Sequence, residues 1–431
     1  MTPTPLVTND AVVLGILSVI LGGVFATSNS EKASFKSFYK VCPPLLLCYF
    51  LPGLLGTFGV ISGDHSRLYF VASRYLLPAC LVLLCLSVDL SGVIRLGPKA
   101  LIMFFTGTAG IVLGGPLALF IVSRIHPTCA GGTAANALWR GMSTVAGSWI
   151  GGGANQTAMK EIFQVGDQVF SAMIAVDVLV ASVWMALLLY VAGVSEAADK
   201  YLRADNSAIK DLQKRLEDYH AQVNRMPTLT DTMKILAVGF GVSAVAHLAA
   251  DFLSPFFLKT APAIVAPWFG YEVAQVAALF RWLSVTSAFF WLIVLSTIGG
   301  VLLSFTSLRE LEGVGASRIG SVFLYMLVAS IGMKMDLSAI VSNPSYFAIG
   351  FIWISFHAIL LIVVAKLIRA PAFFLAVGSQ ANIGGAASAP VVASAFHPML
   401  APVGVLLAVL GYAVGTLGAW VCGLLLRLVA G

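Results

Sequence analysis

Apolar runs separated by short polar breaks make up most of the chain, and they predict membrane-spanning helices. Twelve segments stand out, at roughly 10–28, 41–61, 69–91, 98–123, 133–163, 168–194, 232–252, 284–306, 319–341, 345–368, 372–396 and 401–427. Each reaches or exceeds the ~20 residues that one helix needs to cross a bilayer. Two depart from the pattern. The fifth and the eleventh are crowded with Gly, Ser, Asn and Gln where a plain span carries Leu and Val. Residues 253–283 are apolar but interrupted by Pro255, Pro262, Pro267 and Gly270, and they do not resolve into one element.

Polar positions concentrate elsewhere. Thirteen charged residues fall between Glu196 and Asp231, whereas Ala370 to Leu426 contains none. The expected organisation is an N-terminal transmembrane repeat over 1–195, a hydrophilic linker over 196–231 and a C-terminal transmembrane repeat over 232–431. Within the linker Ile209, Leu212, Leu216, Tyr219 and Val223 recur at three- and four-residue intervals, an amphipathic helix. It reads either as a homodimer contact or membrane-surface brace, or as a solvated helix joining two bundles.

Composition agrees with this class. Of 431 residues, 59% are hydrophobic and 10% charged, against roughly a quarter charged in soluble domains. A soluble enzyme, a secreted disulfide scaffold and a disordered chain are excluded. The lipid bilayer is the expected surrounding, and a bacterial inner membrane the expected location. Nucleic acid is not an expected partner, because the basic residues behind the net charge of +6 sit at the ends of apolar runs. The six cysteines lack metal-ligand spacing, and no cofactor is expected. Asp10 opens the first run and no basic residue precedes it, so a retained span is expected rather than a cleaved signal.

A weak internal repeat is visible. Asp89-Leu90-Ser91 followed by Pro98 matches Asp336-Leu337-Ser338 followed by Pro344. Downstream, Gly147-Ser148-Trp149-Ile150-Gly151-Gly152-Gly153-Ala154-Asn155 matches Gly378-Ser379-Gln380-Ala381-Asn382-Ile383-Gly384-Gly385. Arg95 and Lys99 stand in a loop whose match, around Val341 to Ser345, has no basic residue, and Arg124 alone stands where the matching loop has Lys366 and Arg369; this bias predicts inverted copies. Inversion needs an odd number of crossings between matching spans, and twelve segments give six; residues 253–283 are the expected place of the discrepancy.

Glycine-rich interruptions at matching places in two halves point to the site of a secondary transporter. A helix broken at mid-membrane offers an N-terminus to anions and C-terminal carbonyls to cations. Ser148, Asn155, Gln156 and Thr157 in one half, with Ser379, Gln380, Asn382 and Ser388 in the other, are the candidate ligands. Gly151, Gly152, Gly153, Gly384 and Gly385 would let backbone approach the solute. Close helix packing by small residues is the competing explanation, but it predicts neither the Asn nor the Gln.

Asp177 is the sharpest single residue, the one formal charge between Gln168 and Val194. An ionised carboxylate at that depth costs at least ~2.5–3.5 kcal/mol unless a cation, a proton or a polar partner compensates. A sodium ion at Asp177, Asn155 and Asn382, or a proton at Asp177, is the expected coupling ion; a structural, hydrogen-bonded Asp is the alternative. Arg74, Arg140, His247, Asp251, Lys334, Asp336 and His357 are weaker candidates, expected near segment ends or beside an opposite charge. Arg140 could attract an anionic substrate or form a structural ion pair.

Nearly the whole chain resembles the domain of unknown function 819 family of integral membrane proteins. The resemblance rests on Leu77-Pro78, Val88-Asp89-Leu90, Gly151 to Asn155 with Glu161, and Ala175-Val176-Asp177. It continues through Leu311-Glu312-Gly313, Phe323-Leu324-Tyr325, Ala381 to Gly385 and Gly411-Tyr412. Val178 and Gly153 depart from the Asn and Ser common at those places. The arrangement is also similar to sodium/proton antiporters, bile-acid sodium symporters and sodium/glutamate symporters. That similarity implies an all-α polytopic membrane protein with two inverted repeats, crossed discontinuous helices and elevator-type movement, and an essential Asp where Asp177 falls. About 10–13 transmembrane helices are expected.

The function these readings favour is an ion-coupled secondary transporter of a small anionic organic solute. Cation/proton exchange without an organic substrate is the second reading, and a passive channel or non-transporting scaffold belongs to another class. An enzyme is not expected, since His-Glu-x-x-His and paired intramembrane Asp motifs are missing.

Overall fold

The computed structural model describes residues 5–42, 44–125, 132–205, 227–334, 345–397 and 400–431. Among these, the secondary structure is helical and contains no strand. The principal helices are α1 (Asp10–Ser28), α2 (Pro44–Thr57), α3 (Leu68–Leu86), α4 (Pro98–Ile125), α5 (Leu138–Ile162), α6 (Asp167–Gly193) and α7 (Leu229–Phe269). They continue as α8 (Ala288–Leu303), α9 (Ala316–Gly332), α10 (Ser345–Leu367), α11 (Ala372–Ile383), α12 (Gly385–Phe396) and α13 (Ala401–Ala430).

Seven of these, α1, α3, α4, α6, α7, α10 and α13, are long and apolar enough to cross a membrane. The protein is a polytopic all-α membrane protein. Local chemistry starts several helices as expected. Asn9 caps α1 through the Ala11 N–H, and Thr228 and Asp231 form a reciprocal capping box at α7. Residues 253–269 continue α7 through a wide turn at Phe256–Thr260, and Val273–Trp282 forms a separate short helix. The turn follows Pro255, whose ring cannot accept an ordinary helical register. The amphipathic pattern over 209–223 and the second repeat copy at Asp336 to Ser338 lie outside the described residues. The first copy is an N-cap: Asp89 accepts from the Gly92 N–H at 2.9 Å and pairs with Arg309 at 3.0 Å.

Both glycine-rich segments are broken, but neither passes on through as a crossed span. In α5 the chain leaves helical geometry at Gly151 and Gly152, the latter at φ 75°. A straight helix would separate Trp139 from Phe163 by about 36 Å at 1.5 Å per residue. Their rings instead lie 5.8 Å apart, and Arg140 donates to the Phe163 carbonyl. Helices α11 and α12 repeat the arrangement around Gly385, at φ 58°. Phe373 and Phe396 stand at the two ends of that pair, with ring centroids 5.6 Å apart. Each segment is therefore a helical hairpin with glycine at its tip. Only glycine turns the chain there without Cβ strain, so the interruption becomes a reversal.

The hairpins enter from opposite ends of the bundle. The start of α13 follows the second hairpin, and its far end, at Arg427, lies over Trp139 in the base of the first. Helix α6 leaves the first base, and beyond its end Asp199 accepts from the Ala372 N–H at the second base, 2.7 Å away. Packing falls into two groups. Helices α4, α5, α6, α10, α11, α12 and α13 form one, and α1, α2, α3, α7, α8 and α9 form the other. Each group draws on chain from both sides of the charged insert.

Candidate functional site

The two hairpin tips converge on one turn of α13. A Cβ on Gly411 would stand 2.8 Å from the Ile150 carbonyl oxygen and 3.4 Å from that of Ala381. The outgoing arm of each hairpin thus points carbonyls at the same backbone. Tyr412 bridges the tips, its ring against Gly152 and its hydroxyl towards Gly385. Four helix termini meet here, two ending in carbonyls and two beginning with the N–H groups that a helix start leaves without an intrahelical acceptor. Such a place can hold both a cation and an anion.

Asp177, on α6, is buried beside the first tip. Its Oδ1 accepts from Trp149 Nε1 at 2.7 Å and its Oδ2 from Gln156 Nε2 at 3.0 Å, and Ser148 also bonds to it. Trp149 and Ser148 precede the reversal and Gln156 follows it, so one carboxylate ties both arms together. Gln156 also reaches the other packing group, where Tyr49 on α2 donates to its Oε1 at 3.4 Å.

The two asparagines face elsewhere. Asn155 donates to the Gly151 carbonyl at 2.9 Å and accepts at Oδ1 from Thr416 of α13 at 2.6 Å. Asn382 donates to the carbonyls of Gly378 at 2.9 Å and Phe104 at 3.0 Å, and accepts from Thr108 of α4 at 2.8 Å. Each amide therefore fastens a hairpin to a neighbouring helix, and neither bonds to Asp177. Thr157 donates back to the Gly153 carbonyl at 3.0 Å, within its own arm.

At the second tip, Ser379 accepts from Trp184 Nε1 at 2.8 Å and lies 2.7 Å from His357 Nε2. His357 Nδ1 lies 3.0 Å from the Gly107 carbonyl. A carbonyl only accepts, so Nδ1 carries the proton and the Ser379 hydroxyl donates to Nε2. His357 is thus a fully buried, fully bonded residue of mid-α10, not one near a segment end. Gln380 donates to Ser388 across the reversal at 2.7 Å, and its buried Oε1 has no donor among the described residues. The second tip consequently offers one buried acceptor, and the first offers a carboxylate.

Several partners escaped sequence reasoning: Trp149, Trp184, Thr108, Thr416 and Tyr49. A signal for the reversal was present, since aromatic pairs flank each glycine pair symmetrically, Trp139 with Phe163 and Phe373 with Phe396.

Several ion pairs sit at the base of the first hairpin. Lys160 is buried and pairs with Asp167 at 2.6 Å, while Arg74 pairs with Glu161 at 3.4 Å. Tyr69 donates to Glu161, and Lys334 lies 3.8 Å from Asp64. His247 contacts the Arg74 carbonyl at 2.8 Å. For Arg74 and Lys334 the pairing expected from sequence is present. These closed pairs anchor the hairpin base.

With this geometry in hand, the profile of the family described as "Protein of unknown function (DUF819)" matches residues 15–429. The chain belongs to the DUF819 family. It is also similar to the uncharacterized membrane protein YjcL of Bacillus subtilis (strain 168), at 22% identity over 364 residues, covering 81% of this chain and 82% of YjcL. Both hairpins, Asp177 and the α13 turn lie inside the DUF819 match. The family match thus takes in the whole candidate site.

Proposed function

We propose that the protein is an ion-coupled secondary transporter of a small anionic organic solute. The observation that carries this reading is the meeting of two glycine-tipped hairpins, from opposite ends of the bundle, beside a buried carboxylate. A hairpin that stops at mid-membrane is stable only where protein or a wet cavity satisfies its tip. Two such tips provide a binding point reachable from either end, which alternating access requires. The N-termini of the returning arms suit an anion; Asp177, the carbonyls of Ile150 and Ala381, and Gln380 Oε1 suit the coupling cation.

The units α4–α5–α6 and α10–α11/α12–α13 share the order helix, hairpin, helix, and we read them as inverted repeats. Counting supports this. If residues 133–163 return without crossing, the crossings from the first unit to the second become odd. The group holding both hairpins would move against the group holding α1–α3 and α7–α9, with the Tyr49–Gln156 contact broken and remade.

Proton coupling is the second reading, favoured by the three donors, Trp149, Gln156 and Ser148, that already hold Asp177. Sodium would have to share the carboxylate with these donors, which leave about one lone-pair site open. A proton needs one acceptor, which Gln156 supplies by exchanging its amide ends. Purified protein in liposomes separates these classes. Accumulation of an organic anion driven by a sodium or proton gradient is the expected result; gradient-driven proton exchange alone selects the second reading. Downhill leak without accumulation selects a channel and removes both.

A further inference from the structure

Away from the tips, a second polar feature lies at the base of the first hairpin, where α5 begins and α13 ends. Arg140 and Arg427 line one cavity of about 220 Å³ there, with Gly132, Thr133, Trp139, Trp282 and Gly431. Both guanidinium groups lie on the same indole. Cζ of Arg140 is 4.9 Å from the Trp139 ring and Cζ of Arg427 is 5.7 Å from it, with Arg427 also 5.6 Å from Trp282.

Two like charges sharing an apolar wall repel one another and call for a counter-charge. Among the described residues neither arginine has a carboxylate partner. Their acceptors are backbone carbonyls: Phe163 and Thr133 for Arg140, the latter at 3.1 Å, and Trp282 for Arg427 at 2.8 Å. Carbonyls orient the two forks without neutralising them. Arg140 Nε is buried and has no acceptor among the described residues. The connecting sequence from His126 to Ala137 contains no Asp or Glu. Helix α5 starts at the same place from Ala137, which supplies no side-chain cap, so the positive end of a helix adds to the two charges.

We propose that this pocket binds an oxyanion, phosphate or carboxylate, carried by a molecule whose apolar part lies on the two indoles. Paired guanidinium forks match the geometry of either oxyanion, and tryptophan suits an amphipathic ligand at a membrane boundary. An anionic lipid headgroup and a soluble organic anion share this chemistry. The proposal does not depend on the transport reading.

The test uses the full chain in neutral detergent, with unfolding temperature as the readout. The arms are phosphatidylglycerol against phosphatidylcholine, and inorganic phosphate against chloride at equal ionic strength. The expected result is a rise of more than about 3 °C with phosphatidylglycerol or phosphate, as mass action on the folded state requires. It should be lost in Arg427→Gln and partly kept in Arg427→Lys. A rise with the lipid alone identifies a headgroup, and one with phosphate alone a soluble anion. No rise in either arm, or equal rises in wild type and Arg427→Gln, overturns the proposal. Should Arg427→Gln fail to fold, the wild-type arms decide.

Discussion

Gln156 donates to Asp177 at 3.0 Å from the far side of the chain reversal that separates it from Trp149. The carboxylate is thereby both the charged group of the candidate site and the pin that closes the first hairpin. Asp177→Asn keeps the shape but turns an acceptor oxygen into an NH₂ facing a donor. Ion-driven uptake in liposomes should fall at least tenfold, while the variant still elutes as a folded species. Gln156 can turn its Oε1 to the new NH₂, so the stability change should stay within about 0.5–1.5 kcal/mol, the net worth of one hydrogen bond. Full uptake by this variant would remove Asp177 from the coupling mechanism.

The hairpin reversal has its own test. In a cysteine-free background, Phe373→Cys with Phe396→Cys should be joined by a short bismaleimide in membranes. A continuous helix would hold the two thiols about 35 Å apart, beyond the reagent. Failure to join them, with each single cysteine labelled normally, would refute the reversal.

Gly411 should tolerate no side chain. Gly411→Ala places a methyl 2.8 Å from the Ile150 carbonyl oxygen, a backbone atom that yields only if the first tip shifts. Overpacking of this kind costs about 1–3 kcal/mol, and uptake should drop with it. Gly22→Ala is the control. Its added methyl meets nothing within 4 Å, and unfolding temperature should stay level or rise slightly.

Thr416→Val and Thr108→Val each remove one donor to a hairpin asparagine and keep the volume. Each should lower stability by about 0.6 kcal/mol, the average for hydrogen bonds between membrane helices, and by no more than ~1.7 kcal/mol. Because the pairs sit on different tips, the double variant should lose about the sum. Calorimetry or denaturant titration in one detergent reads both numbers. A double variant no weaker than either single one would mean the tips act as one unit.

Tyr49→Phe removes the hydroxyl by which the two packing groups touch at Gln156. A mobile boundary predicts a changed uptake rate with an unfolding temperature within about 1 °C of wild type, since such long contacts contribute little. A large loss of stability with unchanged uptake would make this contact structural.

Much of the architecture was readable in the residues. Apolar runs near the length of a bilayer crossing made the helices legible, because hydrocarbon accepts no unpaired backbone. The glycine pairs at 151–152 and 384–385 marked the interruptions correctly, and Asp177 stood out as a lone charge in an apolar run. The parity conflict was also legible, but it was assigned to residues 253–283. Residues 253–269 prolong α7, and under the inverted-repeat proposal the return of residues 133–163 would supply the odd count.

The chain alone therefore determined the class of the protein, the positions of its helices and the two places where they break, because the bilayer tests each segment locally. Only the tertiary structure decided what a break becomes. A positive φ at Gly152 permits a kink or a reversal, and the choice rests on partners distant in sequence: Thr416 for Asn155, Thr108 for Asn382, Gly411 for both tips. It likewise directed Asn155 and Asn382 towards neighbouring helices and set Arg140 beside Arg427 with no acid paired to either among the described residues. Hydropathy is a sum over neighbours in the chain, whereas hydrogen-bond satisfaction is a property of neighbours in space.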